Sequence, residues 1–302
     1  MQTNGETQSD QVHATRPARE ELPDAYSPPE MTTRVETAGV AKCKLSCAST
    51  FVLGILAGIY IGFGANFYTI VVTATGTGFG ITKLLGGLAF CLGLILVVVG
   101  GAELFTGNNL LFTGWASRKL TTGQLLRNWV IVYLGNFAGS VLLVLVAYGA
   151  EQWRLGDNAV GITALNVAAG KVQLSFLACF CRGILCNTLV CLAVWLCFSA
   201  RSTTGKILSI LFPITAFVAG GFEHCVANMY FVPMGLFLRA QPDVVSAIGG
   251  IPAQLTWPGF LWYNLVPATL GNIVGGCLFV GGAYWLAYRP CAIRKPTDRN
   301  AA

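Results

Sequence analysis

Gly100-Gly101-Ala102-Glu103-Leu104-Phe105-Thr106-Gly107-Asn108 returns 120 residues later as Gly220-Gly221-Phe222-Glu223-His224-Cys225-Val226-Ala227-Asn228. The two stretches share the pattern GG-x-E-x4-N, and each lies within a long apolar segment. Paired glycines disfavour a continuous helix, and a carboxylate inside an apolar segment is costly unless it has partners. The two stretches therefore predict a pair of interrupted membrane helices that are related by an internal repeat.

The composition sets the class of protein. Of the 302 residues, 54% are apolar and only 11% are charged, and the mean hydropathy is +0.64. A soluble domain carries roughly 25% charged residues. These values exclude a soluble enzyme, a disordered chain and a nucleic-acid-binding protein, and they predict an integral membrane protein that crosses the bilayer many times.

Charge is distributed unevenly along the chain. The net charge is +6, but residues 1–41 hold seven of the 13 acidic residues, so the remainder is strongly basic. Part of this excess orients membrane helices, because Lys and Arg collect on cytoplasmic loops. The alternative is that a basic body attracts anions to its openings. The loop charges predict a plasma or inner membrane protein with both termini in the cytoplasm.

Apolar runs divide the chain. We expect a disordered tail over 1–27, a membrane domain over 28–290 that starts with a short surface helix at 30–44, and a second tail over 291–302. Ser27, followed by two prolines, has the composition of a helix start. Six apolar segments within the membrane domain predict six spans: 46–72, 84–116, 127–149, 172–198, 207–239 and 262–288.

A second pair of matching stretches strengthens the repeat. Leu134-Gly135-Asn136 in the third segment matches Leu270-Gly271-Asn272 in the sixth. Three spans in each half force the second half to insert upside down, which gives a 3+3 inverted repeat with spans two and five broken. Substrates of such proteins bind near the midplane, where the broken helices meet. A purely structural use of the breaks is the alternative.

Helix ends at the breaks would expose backbone N–H groups that attract anions. Carboxylates at Glu103 and Glu223 would repel the same anions. We therefore expect both to accept hydrogen bonds from freed N–H groups or from amides such as Asn108 and Asn228, supporting the break loops. A proton relay is the alternative role for the two carboxylates.

Several polar residues are candidates for a substrate route. His224 follows the second break and is the one histidine of the membrane body, and histidine changes charge near neutral pH. Thr106 offers a hydroxyl where the other break has Val226. Asn187 and Asn272 offer amides. Lys171 could draw anions inward or simply anchor the start of the fourth span.

Other residue types carry less information. Arg182 could snorkel, line a vestibule or face a subunit interface. The cysteines show no metal-ligand spacing, so neither a metal nor a cofactor is predicted. Large apolar side chains near the breaks could form gates, with ordinary packing as the alternative: Phe90, Leu94, Leu104, Phe105 and Phe217.

The chain resembles the formate/nitrite transporter family. The resemblance covers residues 28–290 and rests on long motifs: Gly101–Asn109, Gly221–Tyr230, Arg182–Asn187 and Pro267–Asn272. It implies an aquaporin-like, six-helix protomer with its own pore, assembled into a homopentamer within the lipid bilayer. It also implies transport of formate or nitrite, with lactate, acetate or hydrosulfide in some branches. The stretch Phe231–Gly235 favours formate.

The resemblance assigns roles to single residues. Thr106 matches a threonine on a mobile loop, His224 the pore histidine with Glu223 as its neighbour, and Lys171 the vestibule lysine. Asn187 and Asn272 match polar pore residues, and Phe90, Leu94, Leu104 and Phe217 match the constriction. Some formate channels have histidines after the lysine, where this chain has Val172-Gln173, so no role of those histidines transfers.

The implied mechanism begins with attraction of the anion. Apolar rings then disfavour its charge, and the same surroundings raise the pKa of a carboxylic acid, so the substrate crosses as the neutral acid. Protons could come from water or through His224, in a channel-like or proton-coupled step. Three rival classes remain: an aquaporin-type neutral-solute channel, which lacks its Asn-Pro-Ala motif here; an intramembrane enzyme; and an anion sensor.

Overall fold

A computed structural model describes residues 25–288. Regular structure within this range is helical, apart from a single bridge between Ala25 and Ala200. The tail expected at 291–302, and all but the last three residues of the tail expected at 1–27, lie outside the described residues. The helices are α1 (Pro28–Cys43), α2 (Cys47–Val72), α3 (Phe79–Gly100), α4 (Leu111–Ala116), α5 (Thr122–Gly149), α6 (Ala159–Val172), α7 (Phe176–Ser199), α8 (Thr203–Ala219), α9 (Cys225–Leu238), α10 (Pro242–Ser246) and α11 (Trp257–Tyr288).

Five helices are long and apolar enough to cross a membrane: α2, α3, α5, α7 and α11. The fifth predicted segment, 207–239, is divided between the shorter apolar helices α8 and α9. The second and third segments, predicted from 84 and 127, begin earlier at Phe79 and Thr122. The difference arises because a hydropathy window discards first turns that contain polar residues. The first turn of α5 is nevertheless capped, since the Thr121 hydroxyl accepts from Gln124 N at 3.2 Å.

The predicted surface helix corresponds to α1. Its start is two residues earlier than expected because the proline pair occupies the first turn. Ser27 N and Oγ both donate to Glu30 Oε2, at 2.8 and 2.7 Å, and these bonds lower the pKa of the Glu30 carboxyl. Met31 and Val35, on the buried side of α1, pack in a cluster with Trp195 of α7. These contacts hold the N-terminal half of α1 against α7.

Helix α6 was not expected from the sequence, and it corrects the predicted start of the fourth segment. The predicted range began at residue 172, whereas that residue ends α6 and α7 begins at Phe176. The Ser175 hydroxyl caps α7 by accepting from Ala178 N at 3.3 Å. Lys171 therefore lies in the last turn of α6 and does not start the following span.

Several helices touch backbone to backbone. A Cβ atom placed on Gly139 of α5 would lie 2.0 Å from the Ile55 carbonyl oxygen of α2, and one on Gly275 of α11 would lie 2.3 Å from the Ile184 oxygen of α7. Between α3 and α8, a Cβ on Gly87 would lie 2.7 Å from the Thr215 oxygen. No larger residue fits at such contacts, so the helices that carry the candidate site are held at the shortest possible spacing.

Candidate functional site

The helical backbone is interrupted at both signature stretches. Helix α3 ends at Gly100, and a 3₁₀ turn at Gly107–Leu110 leads into α4. Helix α8 ends at Ala219, and α9 begins at Cys225. Gly101 (φ 78°) and Gly221 (φ 67°) adopt the left-handed conformation that L side chains disfavour, so the second glycine of each pair turns the chain out of its helix.

Glu103 lies at the centre of the first polar cluster, which we define as Lys42, Glu103, Asn108 and Asn128. The Asn108 amide donates to Glu103 Oε2 at 2.6 Å and to Asn128 Oδ1 at 2.9 Å. Lys42 Nζ lies 3.0 Å from Glu103 Oε1 and donates to Asn108 Oδ1 at 2.8 Å. The Glu103 side chain is 5% exposed and the Lys42 side chain 33%, so the ion pair joins a buried carboxylate to a lysine that reaches the protein surface.

Glu223 forms an equivalent second polar cluster with Lys171, Asn228 and Asn264. Asn228 donates to Glu223 Oε2 at 2.7 Å and to Asn264 Oδ1 at 2.7 Å, while Asn264 donates to Glu223 Oε2 at 3.0 Å. Lys171 Nζ lies 3.1 Å from both carboxylate oxygens. Both carboxylates thus have a cation and amide donors, which satisfies the requirement for burying a charge.

Two buried asparagines hold the interrupted backbones. Asn136 of α5 donates to the carbonyl oxygens of Gly54 and Glu103, at 2.8 and 2.9 Å, and accepts from Phe105 N. Asn272 of α11 repeats this pattern: it donates to Gly183 and Glu223 oxygens, both at 2.8 Å, and accepts from Cys225 N. Backbone groups freed by the interruptions are therefore satisfied by side chains from a neighbouring helix.

The two interruptions meet at one hydrogen bond. Thr106 Oγ1 lies 3.0 Å from His224 Nε2, and both side chains are buried. His224 also caps α9, because its Nδ1 accepts from Ala227 N at 3.0 Å. A backbone N–H can only donate, so Nδ1 carries no proton and the neutral ring has its hydrogen on Nε2. The Nε2–H group therefore donates to the threonine hydroxyl.

Asn187 of α7 approaches the same point from another side. Its amide lies 3.2 Å from the Thr106 carbonyl oxygen, 2.7 Å from Asn109 Oδ1 and 2.7 Å from the Asn272 carbonyl oxygen. The Cys191 thiol, one turn along α7, donates to the Thr106 oxygen at 3.3 Å. The Thr106 backbone is therefore held by α7 while its side chain faces the histidine.

Aromatic rings surround the histidine. Phe217 stacks on the His224 ring with centroids 5.8 Å apart, and Phe90 meets Phe217 edge to face at 5.5 Å. Phe105, also a predicted gate residue, instead packs against Trp129 and Tyr133, at 6.0 and 4.9 Å. The structure thus brings two of the predicted aromatic residues to the histidine and places the third behind the first interruption.

Two cavities of about 270 Å³ each lie near this meeting point: Leu104 and Gly107, which precede and follow Thr106 in the chain, line the first, and His224 lines the second. The first cavity is bordered by Leu94 and Leu104, and the second by Phe90, Phe217 and His224. Each contains three cationic side chains and one carboxylate. The charged residues of the first cavity are Arg34, Lys42, Lys206 and Glu103, and those of the second are Lys83, Lys171, Arg182 and Glu223. Both openings therefore carry a net positive charge.

Sequence reasoning missed three members of the clusters: Lys42, Asn128 and Asn264. A signal for them exists. The pattern N-x7-N links Asn128 to Asn136 and Asn264 to Asn272, and K-x3-S precedes both α2 and α7. Within residues 25–288 no group of three His, Cys, Asp or Glu side chains is placed to hold a metal ion.

Known proteins share this architecture. The family model described as formate/nitrite transporter matches residues 29–286. The chain belongs to the formate/nitrite transporter family. Members of this family are membrane transporters and channels, so the protein is an integral membrane protein, in agreement with its five long apolar helices.

Relatives within the formate/nitrite transporter family include the formate channel FocA of Escherichia coli K12, which is 43% identical over 271 residues, or 88% of this chain and 95% of the relative. A solved structure titled as a pentameric formate channel with formate bound is 42% identical, with a TM-score of 0.73 over 80% of this chain and 97% of that one. An FNT family ion channel is 29% identical, with a TM-score of 0.75 over 85% and 98%.

Proposed function

We propose that this protein transports formate, a small monovalent weak-acid anion, across the cell or inner membrane. Support comes from family membership, from the formate channels among its relatives and from two basic cavities that face a shared polar contact. Nitrite is the alternative substrate, since it is also small and singly charged. Lactate, acetate and hydrosulfide are less favoured because the relatives described above are named for formate.

The observation that carries the proposal is the bond between Thr106 and His224. It joins the two interrupted segments, it is buried, and it lies between cavities that each hold cations. A buried imidazole whose Nε2–H group donates to a hydroxyl can donate the same hydrogen to a guest, and it takes up a proton only when Nδ1 releases the Ala227 N–H group.

The proposed architecture has six crossings in a 3+3 inverted repeat. Helices α3 and α4 with their interruption form the second crossing, and α8 with α9 the fifth. Both termini are cytoplasmic, as the loop charges favour. Five protomers assemble as in the pentameric relative, each with its own route between the two cavities. The domain limits, with a membrane unit over 28–290, belong to the same proposal.

In the proposed mechanism an anion enters a basic cavity and then meets Leu94 and Leu104 from one side, or Phe90 and Phe217 from the other. Removing water from an anion is expensive, and the same surroundings raise the pKa of formate. The substrate therefore takes up a proton at this point. The proton comes from water or through the imidazole, and the neutral acid then passes Thr106 and His224.

The two buried carboxylates support the route without touching the substrate. Glu103 and Glu223 are each bonded to a lysine and to an asparagine amide. A carboxylate also repels an incoming anion, so neither group is suited to bind the substrate. We therefore assign them to holding the interruptions in place.

Uptake by proteoliposomes tests the proposal. Labelled formate should enter liposomes that contain the purified protein, and uptake should rise as the external pH falls. Unlabelled nitrite as competitor reports whether both anions share the route. Uptake of nitrite but not of formate would reassign the substrate, whereas glycerol-driven swelling without anion flux would favour a neutral-solute channel. Thr106→Val should reduce uptake, and Thr106→Ser, which keeps the hydroxyl, serves as the matched control.

A further inference from the structure

The second cavity contains two cations that no carboxylate neutralises. Of the three cations lining it, Lys171 lies 3.1 Å from both oxygens of Glu223. Lys83 and Arg182 form no ion pair with any residue of the described chain. The positive charge of Lys171 is therefore already balanced by Glu223, and the net positive charge of this cavity resides on Lys83 and Arg182.

Comparison of the repeats isolates the arginine side chain. Leu53 occupies the position in α2 that Arg182 occupies in α7, at the offset of 129 that also relates Gly54 to Gly183. The backbone oxygens of both residues accept equivalent hydrogen bonds. Glu103 N donates to the Leu53 oxygen at 3.2 Å, and Glu223 N donates to the Arg182 oxygen at 3.3 Å. Leucine suffices for this bond, so the fold does not require a guanidinium there.

Both free cations line the second cavity together with Phe90, Phe217 and His224. Lys83 precedes Phe90 by seven residues on α3, or about 10 Å along the axis. Arg182 is exposed, although its backbone oxygen accepts from Glu223 N. Arginine and lysine attract carboxylates, and a basic concave wall raises the local concentration of anions.

We propose that Lys83 and Arg182 form an outer subsite that collects the monovalent carboxylate anion before it reaches Lys171 and His224. This inference rests on the proposed transport function and assigns the specificity for charge at the second cavity to these two residues. Lys171, held by Glu223, positions the second interruption and adds little attraction of its own.

The test measures formate flux into proteoliposomes as a function of formate concentration and salt. At about 10 mM ionic strength, where the Debye length is about 30 Å, the double variant Lys83→Gln/Arg182→Gln should raise the KM about three- to tenfold, with maximal flux within twofold of the unaltered protein. The difference should shrink at 0.5 M salt. Arg182→Lys should keep the KM within twofold. Lys44→Gln, which removes an exposed lysine that lines neither cavity, is the control.

The outcomes separate the two proposals. An unchanged KM in the double variant at low salt would overturn the outer subsite, as would a loss confined to maximal flux or an equal change in Lys44→Gln. No formate flux in the unaltered protein would instead overturn the transport proposal. If the double variant does not fold, the salt dependence of the single variant Lys83→Gln decides, because that side chain is half-buried at the mouth of the cavity and makes no hydrogen bond within residues 25–288.

Discussion

The first and second polar clusters have the same parts but different degrees of closure. The Lys42 ammonium divides its contacts between Glu103 and Asn108, and its side chain is 33% exposed. The Lys171 ammonium contacts only the two carboxylate oxygens within its cluster, and its side chain is 15% exposed. The Asn264 amide nitrogen donates to Glu223, while the amide nitrogen of Asn128 has no partner in the described residues. The same types of side chain thus form both clusters, while the second cluster is more strongly desolvated.

The largest effect is expected from breaking the two ion pairs. Glu223→Gln should lower the free energy of unfolding by roughly 3–5 kcal/mol, because it leaves the ammonium of Lys171 buried without its counter-charge. Glu103→Gln should cost about half as much, since Lys42 reaches water. Detergent-induced unfolding of the purified proteins measures both values. Equal losses would show that exposure does not distinguish the clusters.

The next test concerns a position where the repeats differ in chemistry. Leu104 stands where the second repeat has His224. His224→Leu should reduce formate flux on the order of 100-fold and flatten its pH dependence, because proton exchange and the bond to Thr106 are both lost. The variant also removes the cap of α9. Thr106→Val removes only the bond, so flux that fell with the first variant alone would show that the bond is not required, and an unchanged pH dependence in His224→Leu would assign the loss to the helix cap.

A smaller difference is expected between the two asparagines at the cluster edges. Asn264→Ala removes bonds to Glu223, Asn228 and the Lys171 carbonyl, and should cost about 2 kcal/mol of unfolding free energy. Asn128→Ala removes the bond from Asn108 and should cost about 1 kcal/mol. The same unfolding assay compares them. A greater loss in the first cluster would reverse the proposed order of closure.

The smallest effect is expected from removing two helix caps, and both removals should have the same effect. Ser46 and Ser175 cap α2 and α7 at equivalent positions, accepting from Ser49 N at 3.0 Å and Ala178 N at 3.3 Å. Replacing either serine by alanine should cost about 1 kcal/mol. The two unfolding free energies should agree within about 0.5 kcal/mol. A clear inequality would mean that the asymmetry extends beyond the polar clusters to the helix starts.

Sequence reasoning identified most of the residues at the meeting point. The paired motifs located Glu103, Glu223 and His224, because charged or titratable groups inside apolar segments require partners. Hydropathy did not reveal α6, because its 14 residues are too few for a membrane span. The predicted fourth segment, 172–198, therefore began at the last residue of α6, and Lys171 was expected at the start of that span and not in the last turn of α6.

Lys42 was not among the predicted site residues. Its role depends on where α1 ends relative to Glu103, 61 residues later in the chain, and no local pattern encodes that distance. The placement of Phe105 away from the other aromatic residues is likewise a tertiary effect, because its backbone bond to Asn136 turns the ring toward α5. Contacts of this kind follow from packing and not from spacing.

The backbone contacts at Gly139, Gly275 and Gly87 have a mechanical consequence. Helices that touch without an intervening layer of side chains cannot slide or rock past each other without losing contact. The first contact joins α5 to α2 and the second joins α11 to α7, each within one half of the chain. The third joins α3 to α8 and so connects the two halves. Motion is thereby confined to side chains and to the short interruptions at 101–106 and 220–224. The helices around the two cavities therefore form a rigid frame, which limits how far either cavity can widen.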